Sequence, residues 1–412
     1  MTFPLPLGEL LGHWPAYAVY LLIGVAFGAV LEVAGFGNSK KLAAQFYFKD
    51  MTVLKVMFTA IVVAMVLIFA TSALGILDFN LVWVNPTYLW PGIVGGLVMG
   101  LGFIIGGFCP GTSVVSAVTG KIDGILFFLG VLTGIFAFGE TVGLYEDFWH
   151  SSYLGRFTLA DFFGVDAGIV VLGVVLMALF MFWGSEQLER IFGGLDPKAA
   201  PTWRYGAAAG LTGLAAAVMV VGQPSPADHW ASVAAEEEAA LAAREVQVHP
   251  GEVLDLIYDP AVRVEMLDVR SETDYNYFHV IDAIHVPLAD LEGAVPDLQA
   301  QPDNTVFIVM SNDEEAATEA WRTLVSYSVP NVYILGGGVN TWIETFNTGE
   351  PTIEPTPAAT AGKDTLRYSF AAALGSRYQA AEPDPHKFDE LEYEPHVELA
   401  IPRGPIGSGC GS

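Results

Sequence analysis

Gly106-Gly107-Phe108-Cys109-Pro110-Gly111-Thr112-Ser113 breaks an apolar run that begins at Leu89 and resumes, after Thr119-Gly120-Lys121, from Ile122 to Phe138. Proline is favoured at the first position of a helix, where its missing N–H is not needed. Cys109 is therefore expected at or just before the start of a short helix, where unpaired backbone N–H groups and the dipole attract an anion. Irregular backbone at membrane depth persists only where protein or a water-filled cavity surrounds it. A cysteine at such a break suits a polarisable, anionic or sulfur-containing solute. It equally suits packing as a small hydrophobe, and the stretch by itself leaves both readings open.

The 412 residues are 53% hydrophobic yet carry a formal net charge of −27. Two domains resolve that conflict. Residues 1–222 hold 13 acidic and 9 basic side chains, whereas residues 223–412 hold 32 and 9. A membrane domain thus precedes a strongly acidic one, whose charge argues against nucleic acid and anionic lipid as its partners. No cleavable leader is expected, since residues 1–14 lack Lys and Arg and the first apolar run is long and carries Glu32. Cys109 and Cys410 are the two cysteines, too few for a disulfide framework. Nothing in the pattern asks for a metal or a cofactor.

Six membrane spans are expected: Ala16–Ala34, Val53–Leu77, Leu89–Phe108, Ile122–Leu144, Ala167–Trp183 and Tyr205–Val221. The segments between them alternate sides. One side gathers Lys40, Lys41, Lys49, Lys55, Lys121, Arg190, Lys198 and Arg204, and the other holds Arg156. By the positive-inside rule the first side is cytoplasmic. Both termini and the acidic domain then lie outside, in the periplasm of a bacterium with a multi-pass inner membrane protein. Glu32 and Glu140 sit within spans, where a carboxylate is costly and faces a cavity or a partner. They suit proton coupling, or bonding to Ser, Thr or Tyr of neighbouring helices.

An internal repeat runs at an offset of 72 residues. Gly28, Gly35, Phe36 and Gly37-Asn38-Ser39 align with Gly100, Gly107, Phe108 and Cys109-Pro110-Gly111, and Lys49 aligns with Lys121. Asn38 or Ser39 is expected to cap a short helix in the first copy, as Cys109 and Pro110 begin one in the second. Two spans per copy make the repeats parallel, so two broken helices face each other across an axis along the membrane normal.

Gly-Gly-Phe-Cys-Pro-Gly-Thr in a repeated, glycine-rich membrane domain resembles the YeeE/YedE sulfur-transport family, over roughly Tyr20 to Gly143. The resemblance implies uptake of thiosulfate or a related reduced sulfur species along a path lined by membrane cysteines that handle the anion through weak S–H hydrogen bonds. It points to Cys109, Pro110, Gly111, Thr112 and Ser113, with Asn38 and Ser39 opposite, as path residues. Gly37 stands where the first copy would match Cys109, so a relay of several thiols is missing from this chain. A homo-oligomer or a partner subunit is the expected remedy.

Residues 223–244, rich in Ala and Glu after Pro224-Ser225-Pro226, read as a helical linker. From 245 to 351 the pattern is α/β. Val262–Leu267, Thr305–Met310 and Asn331–Leu335 read as buried parallel strands, with helices at Pro250–Tyr258 and Glu314–Ser328. Met266-Leu267-Asp268-Val269-Arg270-Ser271, Tyr277-Phe278-His279-Val280-Ile281-Asp282-Ala283-Ile284 and Tyr333-Ile334-Leu335-Gly336-Gly337-Gly338 with Trp342 resemble a rhodanese domain. In that family the strand matching Val306–Val309 is followed by a nucleophilic cysteine and a loop whose N–H groups cradle a persulfide. Met310 stands in the nucleophile's place, followed by Ser311, Asn312, Asp313, Glu314 and Glu315. A thioether forms no persulfide, and the acidic run repels an anionic donor. The expected domain is rhodanese-like and not catalytic.

The extension from 352 to 412 opens with a Pro- and Ala-rich linker. A helix is expected over Asp364–Ala381, and an acidic, proline-spaced segment follows. The chain closes Gly407-Ser408-Gly409-Cys410-Gly411-Ser412, a sterically open arm by composition. It resembles the terminal cysteine arm of the Sox-system sulfur carrier, which implies a sulfur-bearing role for Cys410 and a sulfur-oxidation protein as partner. Three functions therefore fit the sequence. They are a thiosulfate transporter with an external docking domain, a membrane-anchored sulfur carrier working through Cys410, and a non-catalytic module that recruits a partner.

Overall fold

The computed structural model describes residues 3–5, 7–194, 202–347, 353–355, 364–370, 375–388 and 390–399. Two units divide the chain, close to residue 224.

In the membrane unit, six helices among the described residues are long and apolar enough to cross a bilayer. The spans and breaks are α1 His13–Val33, α2 Ser39–Ala44, α3 Thr52–Ala73, α4 Leu89–Gly106, α5 Pro110–Val118, α6 Ile122–Thr141, α7 Ala167–Leu188 and α8 Trp203–Val221. Helix is the form that satisfies every backbone group internally in hydrocarbon. Span hydroxyls follow the same economy, since Thr71, Thr133, Thr141 and Thr212 each donate to the carbonyl four residues back. Leu21, Leu97, Leu126 and Phe136 are exposed, the kind of apolar surface that a membrane covers.

Two cores hold this unit. Val62, Val66, Val171, Val175, Ala178 and Ala215 join α3, α7 and α8. Gly168 permits the closest approach, because a Cβ there would stand 2.7 Å from the Met219 backbone. Phe36, Leu42, Val53 and Phe108 form the other core. The repeat expected from sequence thus has a physical counterpart. Gly35 and Gly107 both adopt the left-handed conformation, with φ of 82° and 75°, and the phenylalanine after each is buried in the same cluster.

The second unit is built on a five-stranded parallel sheet of order β1-β5-β4-β2-β3. Its strands are β1 Gln247–Val248, β2 Arg263–Asp268, β3 Ile284–His285, β4 Thr305–Met310 and β5 Val332–Leu335. Every residue of the central β4 is buried, as a strand covered on both faces requires. Helices α10 Pro250–Tyr258, α11 Glu272–Tyr277, α12 Leu291–Gln299, α13 Glu315–Ser326 and α14 Gly338–Phe346 complete the α/β architecture. Ahead of them, α9 Pro226–Ala243 packs on α13. Trp230 meets Trp321 edge-on at 6.2 Å between ring centroids, and Arg322 donates to Glu238 at 2.8 Å.

One expectation is corrected. The helix anticipated over Asp364–Ala381 does not form. Tyr368–Phe370 is instead strand β7, antiparallel to β6 Ile353–Pro355, and Gly375–Arg377 and Gln379–Ala381 are 3-10 turns. Tertiary packing overrides helix propensity here: Tyr378, Ala380 and Ala381 are buried against the sheet's core.

Residues 364–370, 375–388 and 390–399 run as a strap over this unit. Trp342 Nε1 donates to Ala380 O at 2.7 Å, and Glu252 accepts from the backbone of His396 and Val397 at 3.0 and 2.7 Å. Tyr393 donates to Asp255. Burial and that carboxylate push the Tyr393 phenol up to about 12, from an ordinary value of about 10. The folded chain therefore holds this proton more tightly than the unfolded chain. The stabilisation is full below about pH 10 and is lost as pH rises toward about 12. Ultraviolet titration against Tyr393→Phe is expected to show one late-titrating tyrosine missing from the variant.

Candidate functional site

The two breaks are built alike and touch. In the second, Gly107 turns the chain at the end of α4, and Cys109 caps α5. Its Sγ accepts from Thr112 N at 3.4 Å while Thr112 Oγ1 accepts from Cys109 N at 2.9 Å, a capping box with a thiol in place of a hydroxyl. Such a box ties down two helix-terminal donors reciprocally. Pro110 and Gly111 form the first turn, and buried Ser113 donates to Pro110 O at 2.6 Å. The Cys109 side chain is half-buried.

Asn38 plays the corresponding part in the first break, where its Oδ1 accepts from Lys40 N at 3.0 Å at the start of α2. Ser39 joins the copies. It lies against Gly107, 3.2 Å from where a Cβ would sit, and its Oγ donates to Asp123 Oδ2 at 2.6 Å. Glu32, at the end of α1, pairs with Lys121 from the second copy at 3.6 Å. Glu140 is not brought to this cluster. It is exposed near the far end of α6, about 26 Å along the axis from Asp123 at 1.5 Å rise per residue. Lys121 and Asp123 join the cluster although residue order alone does not single them out as site residues. The alignment of Lys121 with Lys49 is the available signal.

In the second unit Met310 ends β4 fully buried. Ser311 Oγ accepts from Ala317 N at 3.1 Å, and Asn312 accepts from Arg270. Asp313 pairs with Arg367, while Glu314 takes Arg244 at 2.7 Å and Gly337 N at 2.6 Å. Glu315 begins α13. The N–H groups of this loop already hold a carboxylate: Asp364, from the strap, accepts from Asp313 N at 2.6 Å and Ala316 N at 2.9 Å. Asn312 Nδ2 donates to Asp364 O at 2.9 Å. No sequence signal marks that contact, since the partners are some fifty residues apart and joined by nothing in the pattern. Cys410 lies outside the described residues.

Comparison with known proteins follows this division. The sulphur transport family model matches residues 33–243, and the rhodanese-like domain model matches residues 249–345. Among relatives, a protein named thiosulfate transporter TsuA, from Spirochaeta thermophila, is 26% identical over 193 residues, covering 41% of this chain and 55% of its own length. Proteins named probable transporter YedE, from Escherichia coli and Salmonella typhimurium, are each 28% identical, covering 45% of this chain and 45% of their own length. The chain spans about half the length of these curated relatives. No solved structure matches it. The matched region begins at the end of α1 and takes in both breaks and the five later spans, and on that match the chain belongs to the sulphur transport family, with a rhodanese-like domain following its membrane region.

Proposed function

We propose that this chain carries thiosulfate or a related reduced sulfur anion across a bacterial inner membrane, with Cys109 and the residues of the two breaks on the path. The capping box at Cys109 carries the reading. It holds a thiol at a helix start where the dipole favours an anion, in a break that meets a second one where Gly107 lies against Ser39. The name of the Spirochaeta relative, a thiosulfate transporter, supports the same solute class. The lysine-rich loops support a periplasmic position for both termini and for the rhodanese-like domain. That domain acts as a scaffold without sulfurtransferase chemistry. Met310 in place of a thiol supports this, as does Asp364 in the loop's N–H groups. The arm ending at Cys410 captures or presents sulfur to the path, and a sulfur carrier or a second copy of the chain completes the relay.

Uptake of sulfur-labelled thiosulfate into proteoliposomes tests this with wild type, Cys109→Ser and Cys410→Ser. Uptake is expected to fall to background in Cys109→Ser. Wild-type uptake by that variant overturns the role of Cys109. Loss in both variants ties capture to transport. No uptake by the wild type moves the function to a membrane-anchored carrier working through Cys410.

A further inference from the structure

The first break has no thiol, and charge fills the place where one would stand. A Cβ at Gly37 would lie 2.6 Å from Glu32 Oε2 and 2.9 Å from Lys121 Nζ. Each copy of the repeat supplies one member of this pair. Two residues earlier, Lys41 Nζ donates to Ala34 O at 2.9 Å and lies against Gly35. Two ammonium groups on different elements therefore bracket the break. Glu32 and Asp123 face Lys121, Asp50 faces Lys41, and Asp123 already accepts from Ser39.

The Lys121–Glu32 pair is loose. Its atoms are 3.6 Å apart, and the side chains are 39% and 46% exposed, whereas the Arg270–Asp268 pair of the second unit is at 2.6 Å and 1% and 0% exposed. A half-exposed single contact contributes little to folding. It is correspondingly easy to open. Gly37 is buried beneath this pair, and having no Cβ it leaves the space beside the ammonium to whichever group pairs with Lys121.

We propose that Lys121 is an anion-binding residue of the transport path, and that Glu32 is its internal counter-ion, displaced at Gly37 by the sulfonate end of the solute. This rests on the transport reading above. The two breaks then divide the solute's chemistry. The thiol of Cys109 suits sulfur, and the ammonium of Lys121, a compact point charge, suits oxygens. Return of Glu32 to Lys121 expels the anion, as a site that must both bind and release requires.

Initial-rate thiosulfate uptake by the full chain in proteoliposomes separates the cases, using wild type, Lys121→Met, Lys121→Arg and Glu32→Gln, with sulfate as competitor. Lys121→Met is expected to raise KM by about tenfold, the loss of one charge-assisted contact. Glu32→Gln, which removes the competing carboxylate, is expected to lower KM by about threefold, and Lys121→Arg to stay near wild type. A pair that merely tethers the copies would make Lys121→Met and Glu32→Gln fail alike, with less protein recovered in monodisperse form, and that result overturns the proposal. If the wild type transports and Lys121→Met keeps its KM, this inference alone falls. If the wild type takes up no thiosulfate, the transport reading falls and takes the inference with it.

Discussion

Arg270→Met is expected to destabilise the rhodanese-like unit by about 3–5 kcal/mol, the usual cost of stranding one member of a buried ion pair. Arg270 Nε and Nη2 donate to Asp268 at 2.9 and 2.6 Å, Nη2 also donates to Phe278 O at 2.6 Å, and Nη1 reaches Asn312 at 3.3 Å. One guanidinium therefore joins the end of β2, the segment after α11 and the loop after β4. Methionine fills similar volume but leaves the Asp268 carboxylate, 0% exposed, without its charge. Domains of this size are stable by about 5–15 kcal/mol, so the loss takes a large share. Urea unfolding of the full chain, followed by tryptophan fluorescence, measures it. Asp268→Leu combined with Arg270→Met is expected to recover most of the loss, since neither member of the pair is then left stranded. A cost below about 1 kcal/mol for the single variant would mean that water reaches this pair.

Asp364→Ala carries the second large effect. It removes the acceptor of Asp313 N and Ala316 N. Hydrogen bonds to a charged group are worth about 1.5–3 kcal/mol each, and two donors at the start of α13 are left unpaired. The strap stays tied at Trp342, Glu252 and Tyr393, so the expected result is local. Amide exchange should rise by about tenfold or more over Leu366–Phe370 and at Asp313 and Ala316, while β4 and β5 keep their protection. Uniform loss of protection across the sheet would show instead that Asp364 supports the whole unit.

Legibility in the sequence tracks how local each signal is. The spans are long apolar runs, and Pro110 after Cys109 marks a helix start, so the break is plain from residue order alone. The strands Thr305–Met310 and Val332–Leu335 are equally plain, being short, apolar and β-branched. β1 and β3 are not, because two residues carry no periodicity. Asp364–Ala381 misleads because its composition suits a helix, whereas its pairing with Ile353–Pro355 is set by tertiary contact. The charge at Gly37 is hidden for another reason: a glycine shows nothing of the side chains that enter its space.

The twin breaks also bear on how such a chain can change over generations. A residue other than glycine at 35 or 107 would meet the left-handed penalty of about 1–2 kcal/mol, and a smaller residue at Phe36 or Phe108, both buried, would open a cavity worth about 3–5 kcal/mol. Drift at these four positions is therefore suppressed in both copies together. The next position, Gly37 in one copy and Cys109 in the other, follows this frame without forming part of it. A duplicated ancestor can then keep the thiol in one copy and lose it in the other by a single substitution, the space left being taken by Glu32 of that copy and Lys121 of its sibling.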